Sequence, residues 1–172
     1  ENTGVYAKLG EQDSLVLVKS EALEQLKKTA FDLRYRKLLS FTPDQVKKIQ
    51  VKYPETTLLL EKDNDIWKAK EPEKKELLPY KVNNLMYDLN DLEFKEEILT
   101  PEEDLSVYGL HEPQIEVTFR KEEDQEIFTL LVGEQQEDKD VLYVKVATEN
   151  PVYAIEPSFL DELPKEIKDL VE

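Results

Sequence analysis

The stretch LYVKVATENPVYAIEPSFLDEL, Leu142 to Leu163, restates a passage near the start of the chain. Laid 137 positions apart without a gap, Tyr6 falls over Tyr143, Lys8 over Lys145, Leu23 over Leu160, Leu26 over Leu163, Lys28 over Lys165, Asp32 over Asp169 and Leu33 over Leu170. The hydrophobic phase agrees, with Leu15 and Val18 over Val152 and Ile155. One register held through two strands and a helix is the mark of a structural repeat. The chain therefore reads as the C-terminal part of one repeat unit, residues 1–41, a hairpin plus a helix, followed by a complete unit, residues 42–172. The incomplete leading copy would also leave strand edges open to a neighbouring molecule.

In that leading copy, Val5 to Leu9 and Ser14 to Val18 read as strands about a GEQD turn. Ser20 then caps a helix with Ala22, Leu23, Leu26, Ala30 and Leu33 on one face. The complete unit opens at LLSFTPDQVKKIQV, where Val46, Ile49 and Val51 start a strand. TLLLEKDNDIWKAKEP gives two strands about Asp63-Asn64-Asp65, with Trp67 on the second. From Pro79, a residue suited to the first helical position, Val82, Leu85, Met86, Leu89 and Leu92 follow helical spacing closely.

FKEEIL is a short strand, and TPEEDLSVYGL reads as a helix capped by Thr100, with Pro101 first and Gly109 ending it. QIEVTFR and EIFTLLVG pair about KEEDQ; Val141 to Val146 and Val152 to Ile155 form the last strands. Short helices follow at Pro157 to Leu163 and from Pro164. Antiparallel groups broken by isolated helices indicate an α+β fold: antiparallel sheets with interspersed short helices, arranged as a repeated unit.

With 40% hydrophobic residues, eight Tyr, six Phe and one Trp, the 172 residues can build a sizeable core despite 36% charged content. A formal net charge of −16 disfavours nucleic acid and anionic membrane surfaces as partners. The charge is uneven, with 16 acidic and four basic residues between Glu93 and Asp140 but 11 basic and seven acidic between Arg34 and Lys75. Such asymmetry can orient a partner; more commonly it marks solvated faces. No cysteine is present, which removes disulfides, thiolate metal sites and a thiol nucleophile. No apolar run is long enough to span a bilayer, so this piece is not expected to insert directly in a membrane. Beginning at Glu1 without Met or a signal-like segment, it reads as excised from something longer.

Four glycines without clustering exclude a phosphate-cradling loop. DNDIW imitates the start of a calcium loop, yet Lys68 and Lys74 stand where a glycine and a carboxylate are required, so a hairpin turn is the better reading. EQQEDKD and EEILTPEED are acidic loops that could hold a cation weakly, and as a rule such loops are simply solvated. The single histidine, His111, lacks an imidazole partner and a marked serine. Paired carboxylates for glycoside hydrolysis are open among so many Asp and Glu, but nothing singles out a pair. Trp67, Tyr80, Tyr87, Tyr108, Tyr143 and Tyr153 could line a groove; beside aliphatic residues at strand or helix spacing they fit the core or its edge better. No catalytic residue, cofactor or metal ligand is expected.

RYRKLLSF, LEKDNDIWKAKEP, VNNLMYDLNDL, DLSVYGLHEPQIEVTF, LLVGEQ, LYVKV and VYAIEPSFLDEL, in that order, resemble the bacterial domain-of-unknown-function family numbered 4340 over Leu38 to Glu172. Val5 to Phe41 resembles the end of a preceding copy. The most specific piece is Tyr108-Gly109-Leu110 with Pro113, then Gly133 and Tyr143. These look structural, Gly109 ending a helix and Trp67 and Tyr143 packing. The resemblance implies a parent tethered to a bacterial inner membrane by an N-terminal helix, with extracytoplasmic (periplasmic or envelope-side) repeats, often encoded beside gliding-motility-type ABC transporter components.

The expectation is a noncatalytic extracytoplasmic interaction module with a protein partner, transporter subunits among the candidates, serving a transport or surface-assembly complex. Exposed aromatics clustered on the sheet would mark it. The alternatives are a ligand- or polysaccharide-binding module, marked by a concave pocket with converging carboxylates and raised pKa values, and a structural spacer.

Overall fold

A computed structural model describes residues 4–8, 15–20, 35–136 and 139–171. The chain forms two compact units, Glu1–Tyr35 and Arg36–Glu172. In the first, β1 (Gly4–Lys8) and β2 (Leu15–Lys19) make an antiparallel hairpin. The helix expected beyond Ser20 lies outside the described residues.

The second unit is built on one sheet. Its strands are β3 (Lys48–Lys52), β4 (Thr57–Asp63), β5 (Ile66–Glu71), β6 (Lys75–Glu76), β7 (Glu96–Ile98), β8 (Ile115–Arg120), β9 (Glu126–Gln136), β10 (Val141–Val146) and β11 (Val152–Ile155). Their order across the sheet is β6-β5-β4-β3-β8-β9-β10-β11-β7, antiparallel throughout. Both edges are very short strands, which limits the backbone offered for edge pairing. With the helices α1 (Pro79–Asn90) and α2 (Phe159–Glu162), the architecture is α+β, as the strand pattern indicates.

Alternation along each strand sorts the two faces. Ile49, paired with Leu60 and Phe119, continues through Phe128, and Val51, paired with Leu58 and Val117, continues through Leu130. All of these are buried. Helix α1 contributes Val82, Leu85, Met86 and Leu89, all buried, and touches β5 and the 3₁₀ turn at Pro43–Gln45. Across most of the sheet the other face is polar. There Lys48 joins Glu61 at 3.2 Å and Asp124 at 3.2 Å, Lys52 joins Glu116 at 2.7 Å, and the Thr118 and Thr129 hydroxyls meet at 3.0 Å.

Local chemistry explains the turns. Asn64 and Asp65 both have positive φ, 48° and 66°, the two-residue conformation that tolerates Asn and Asp and matches the twist of β4 and β5. The helix expected from Thr100 does not form. The side chain of Asp104 accepts the Ser106 backbone N–H at 2.9 Å, so a single 3₁₀ turn begins at Leu105 and runs to Tyr108. Gly109, in the left-handed region at φ 65°, closes it as expected. In the last segment, Asp169 accepts N–H bonds from Lys165 and Glu166, both at 2.9 Å, and sets a 3₁₀ turn at Ile167–Leu170.

Residues 36–41, read from sequence with the first copy, pack in the second unit. The Leu38 N–H donates to the Leu92 carbonyl at 2.9 Å and the Phe94 N–H to Arg36 at 3.0 Å. The Phe41 ring lies 5.1 Å from that of Phe119 and 5.3 Å from that of Phe128. These contacts lie within the compact unit that starts at Arg36.

The two hairpins share one register. In β10–β11 Leu142 faces Ile155, Tyr143 faces Ala154 and Val144 faces Tyr153. In β1–β2 Val5 faces Val18, Tyr6 faces Leu17 and Ala7 faces Val16, every pair displaced by the same 137 positions.

Candidate functional site

Five of the residues singled out by sequence meet at one place. Between the pairs Val144↔Val132 and Leu142↔Gln135 the β9–β10 register slips, so Gly133 and Glu134 together oppose Tyr143 in a β-bulge. The Tyr108-Gly109-Leu110 turn lies against that bulge. A Cβ on Gly133 would stand 2.2 Å from the Tyr108 carbonyl oxygen, and one on Gly109 would stand 2.5 Å from the Glu134 backbone nitrogen. Only glycine permits backbones this close.

Leu110, Tyr143, Val152 and Ala154 form a buried cluster, with Ile98, Leu105, Tyr108, Leu131 and Val141 packed against it. The ring of Tyr108 meets that of Tyr143 edge-on. Two glutamines tie the knot: Gln114 donates its side-chain N–H to the Gly133 carbonyl, and Gln136 donates to the Val107 carbonyl at 3.0 Å. The Glu102 N–H donates to the Tyr108 hydroxyl at 3.3 Å. Sequence reading missed both glutamines, since their partners are backbone carbonyls 19 and 29 residues away.

Trp67 and Pro113 stand apart from the knot in their local roles. Trp67 is buried on β5 beside Ala69, and its carbonyl accepts the Leu77 N–H at 2.9 Å. Pro113 is half-buried at the entry to β8. Trp67, Tyr143 and Tyr153 are core residues, whereas Tyr80 and Tyr87 are 54% and 56% exposed. The sheet's open face carries charges and hydroxyls; the exposed aromatics of the second unit stand on α1 instead. Seven residues apart, Tyr80 and Tyr87 share the outer side of the helix with exposed Asn83 and Asn84. Lys81 Nζ lies 5.9 Å from the centre of the Tyr80 ring.

One cleft, about 370 Å³, opens between α1 and the C-terminal turns, where Lys81, Asp88, Asp161, Glu162, Lys165 and Asp169 line it. Partial burial and the neighbouring Asp91 charge hold the Asp88 carboxyl above the usual range. Partial burial and the Asp88 charge do the same to Glu162. Asp169 is committed to backbone N–H groups and Asp161 lies 3.7 Å from Lys165 Nζ, while Glu162 sits in the field of Asp88. His111 is exposed, and its charge adds slightly to a lowering of Asp104 that hydrogen bonds from Ser106 dominate. Among the described residues no group of three or more His, Cys, Asp or Glu is placed to hold a metal ion. Among them, too, no helix is long and apolar enough to cross a membrane.

No curated protein and no solved structure matches the chain. The family described as Domain of unknown function (DUF4340) matches it in two overlapping stretches, residues 1–104 and 67–172. The sequence marks of that resemblance, Tyr108-Gly109-Leu110, Gly133 and Tyr143, are the parts of one packed knot, and with the match covering the whole length, this chain belongs to the DUF4340 family.

Proposed function

We propose that the chain is a noncatalytic extracytoplasmic interaction module, built of repeat units, in a parent tethered to a bacterial inner membrane, and that it serves as accessory to an ABC-type transport or surface-assembly complex. The observation that carries this reading is the outer face of α1. Tyr80 and Tyr87 present two large amphipathic rings, flanked by Asn83 and Asn84, on a helix whose other side is fixed in the core. Tyrosine gives much contact area for little conformational entropy, which is why it concentrates at protein interfaces. Tyr108, Gly109, Leu110, Gly133 and Tyr143 are meanwhile occupied in packing, so the exposed tyrosines of α1 are separate from that knot. The matching hairpin registers support the repeat: the chain holds the end of one unit and one whole unit.

The test is affinity capture of the full-length parent from cells, with and without Tyr80→Ala plus Tyr87→Ala. Recovery of transporter subunits by the native protein and their loss from the double variant supports the reading. Equal recovery by both removes the helix face from it, and recovery of none opposes the accessory role.

A second reading, a ligand- or polysaccharide-binding module, is favoured by the cleft where Asp88 and Glu162 are held above the usual carboxylate range. A glycan array probed with the chain and with Asp88→Asn distinguishes it, because binding confined to the native chain would place the ligand there.

A further inference from the structure

The first-unit hairpin has a buried twin. Tyr6 and Leu17 are cross-strand partners and Leu15 lies two residues along, so all three share one face. They are 72%, 62% and 63% exposed. Their counterparts at the same displacement, Tyr143, Ala154 and Val152, are 6%, 1% and 0% exposed. What covers those counterparts is known: Leu105, Tyr108 and Leu110 from the turn, Leu131 from β9 and Ile98 from β7. A two-stranded hairpin with an uncovered apolar face is marginal in water and gains stability from a third strand and a packed layer.

We propose that Tyr6, Leu15 and Leu17 are the seat of a tyrosine-glycine-leucine turn and its following strand, of the same kind as Leu105–Gln136, supplied in cis by the preceding stretch of the parent chain. The turn's tyrosine meets Tyr6 edge-on, as Tyr108 meets Tyr143. This rests on the repeat reading above. A second copy of the chain is not the source, because its own Leu105–Gln136 is already packed on its own Tyr143 and paired with its own β10.

The test is hydrogen exchange followed by mass spectrometry on the full-length parent and on the 172-residue chain. Amides of Gly4–Lys19 exchange about a hundredfold or more slowly in the parent, while those of Val141–Ile155 are equally protected in both. In the parent, Tyr6→Ala releases the hairpin and leaves Val141–Ile155 unchanged. Fast exchange of the hairpin in the parent, or a hairpin indifferent to Tyr6→Ala, overturns the proposal. Protection of the hairpin in the 172-residue chain that grows with its concentration also overturns it, by making a second copy the occupant. None of these outcomes bears on capture through Tyr80 and Tyr87, so the two readings fail separately.

Discussion

The ring of Tyr108 meets that of Tyr143 edge-on, their centroids 5.1 Å apart at an interplanar angle of 78°. Tyr143 is the more buried, so Tyr143→Ala is expected to cost roughly 3–5 kcal/mol and Tyr108→Ala less. In urea denaturation, a double-mutant cycle should return a coupling of about 0.5–1.5 kcal/mol. A coupling near zero would mean that the ring contact adds nothing beyond burial.

Gly109 and Gly133 serve one backbone contact, so their substitutions should not add. Gly133→Ala drives a methyl onto the Tyr108 carbonyl, and Gly109→Ala adds a left-handed backbone penalty to a clash with Glu134. Each is expected to lower stability by about 1–3 kcal/mol, with the double variant well short of the sum. Full additivity in thermal unfolding would show that the two glycines act independently.

How much of this was readable in the chain depended on distance along it. Helix α1 was legible because Val82, Leu85, Met86 and Leu89 repeat at its own period, and the β4–β5 turn because Asn64 and Asp65 tolerate positive φ. The hairpin register was legible because residues 5–18 and 142–155 carry the same hydrophobic phase. Thr100-Pro101 misled, since Asp104 offers the Ser106 N–H a bond that starts the turn later. The β3–β8 pairing that unites the sheet, and the approach of Asp88 to Glu162, join residues far apart in sequence, and no local pattern records them. Tyr80 and Tyr87 read as core-edge from their neighbours, although their positions lie off the apolar stripe of the helix.

Alkaline pH should unfold the second unit through two phenols. Burial, with the charge of Asp169, pushes Tyr53 up to about 12; its hydroxyl donates to the Pro164 carbonyl at 2.9 Å. Burial, with Glu149 and Glu97, likewise pushes Tyr153 up to about 12. Because the folded protein holds these protons more tightly than the unfolded chain, their stabilisation is complete below the ordinary tyrosine value near 10. It is lost as pH rises through about 12. Urea midpoints measured across that window should fall, and less steeply in Tyr53→Phe. An unchanged slope in that variant would contradict the assignment.

Asp88 gives a test of the same sign at the acid end of the pH range. Its raised carboxyl favours the folded state while protonated, below the ordinary carboxylate range, and that contribution disappears as pH rises through the shifted value. Asp88→Asn should therefore raise the urea midpoint at neutral pH and change it little in acid. A gain of the same size in acid would show that charge is not the cause.

The central claim, that the outer face of α1 is a protein-binding surface, is tested most directly by a photo-crosslinking amino acid at position 83, between Tyr80 and Tyr87, in the full-length parent inside cells. A matched probe at exposed position 112 serves as control. Adducts to a transporter or surface-assembly subunit from position 83 and not from 112 are the expected result. The same adducts from both positions, or none from position 83, would contradict it.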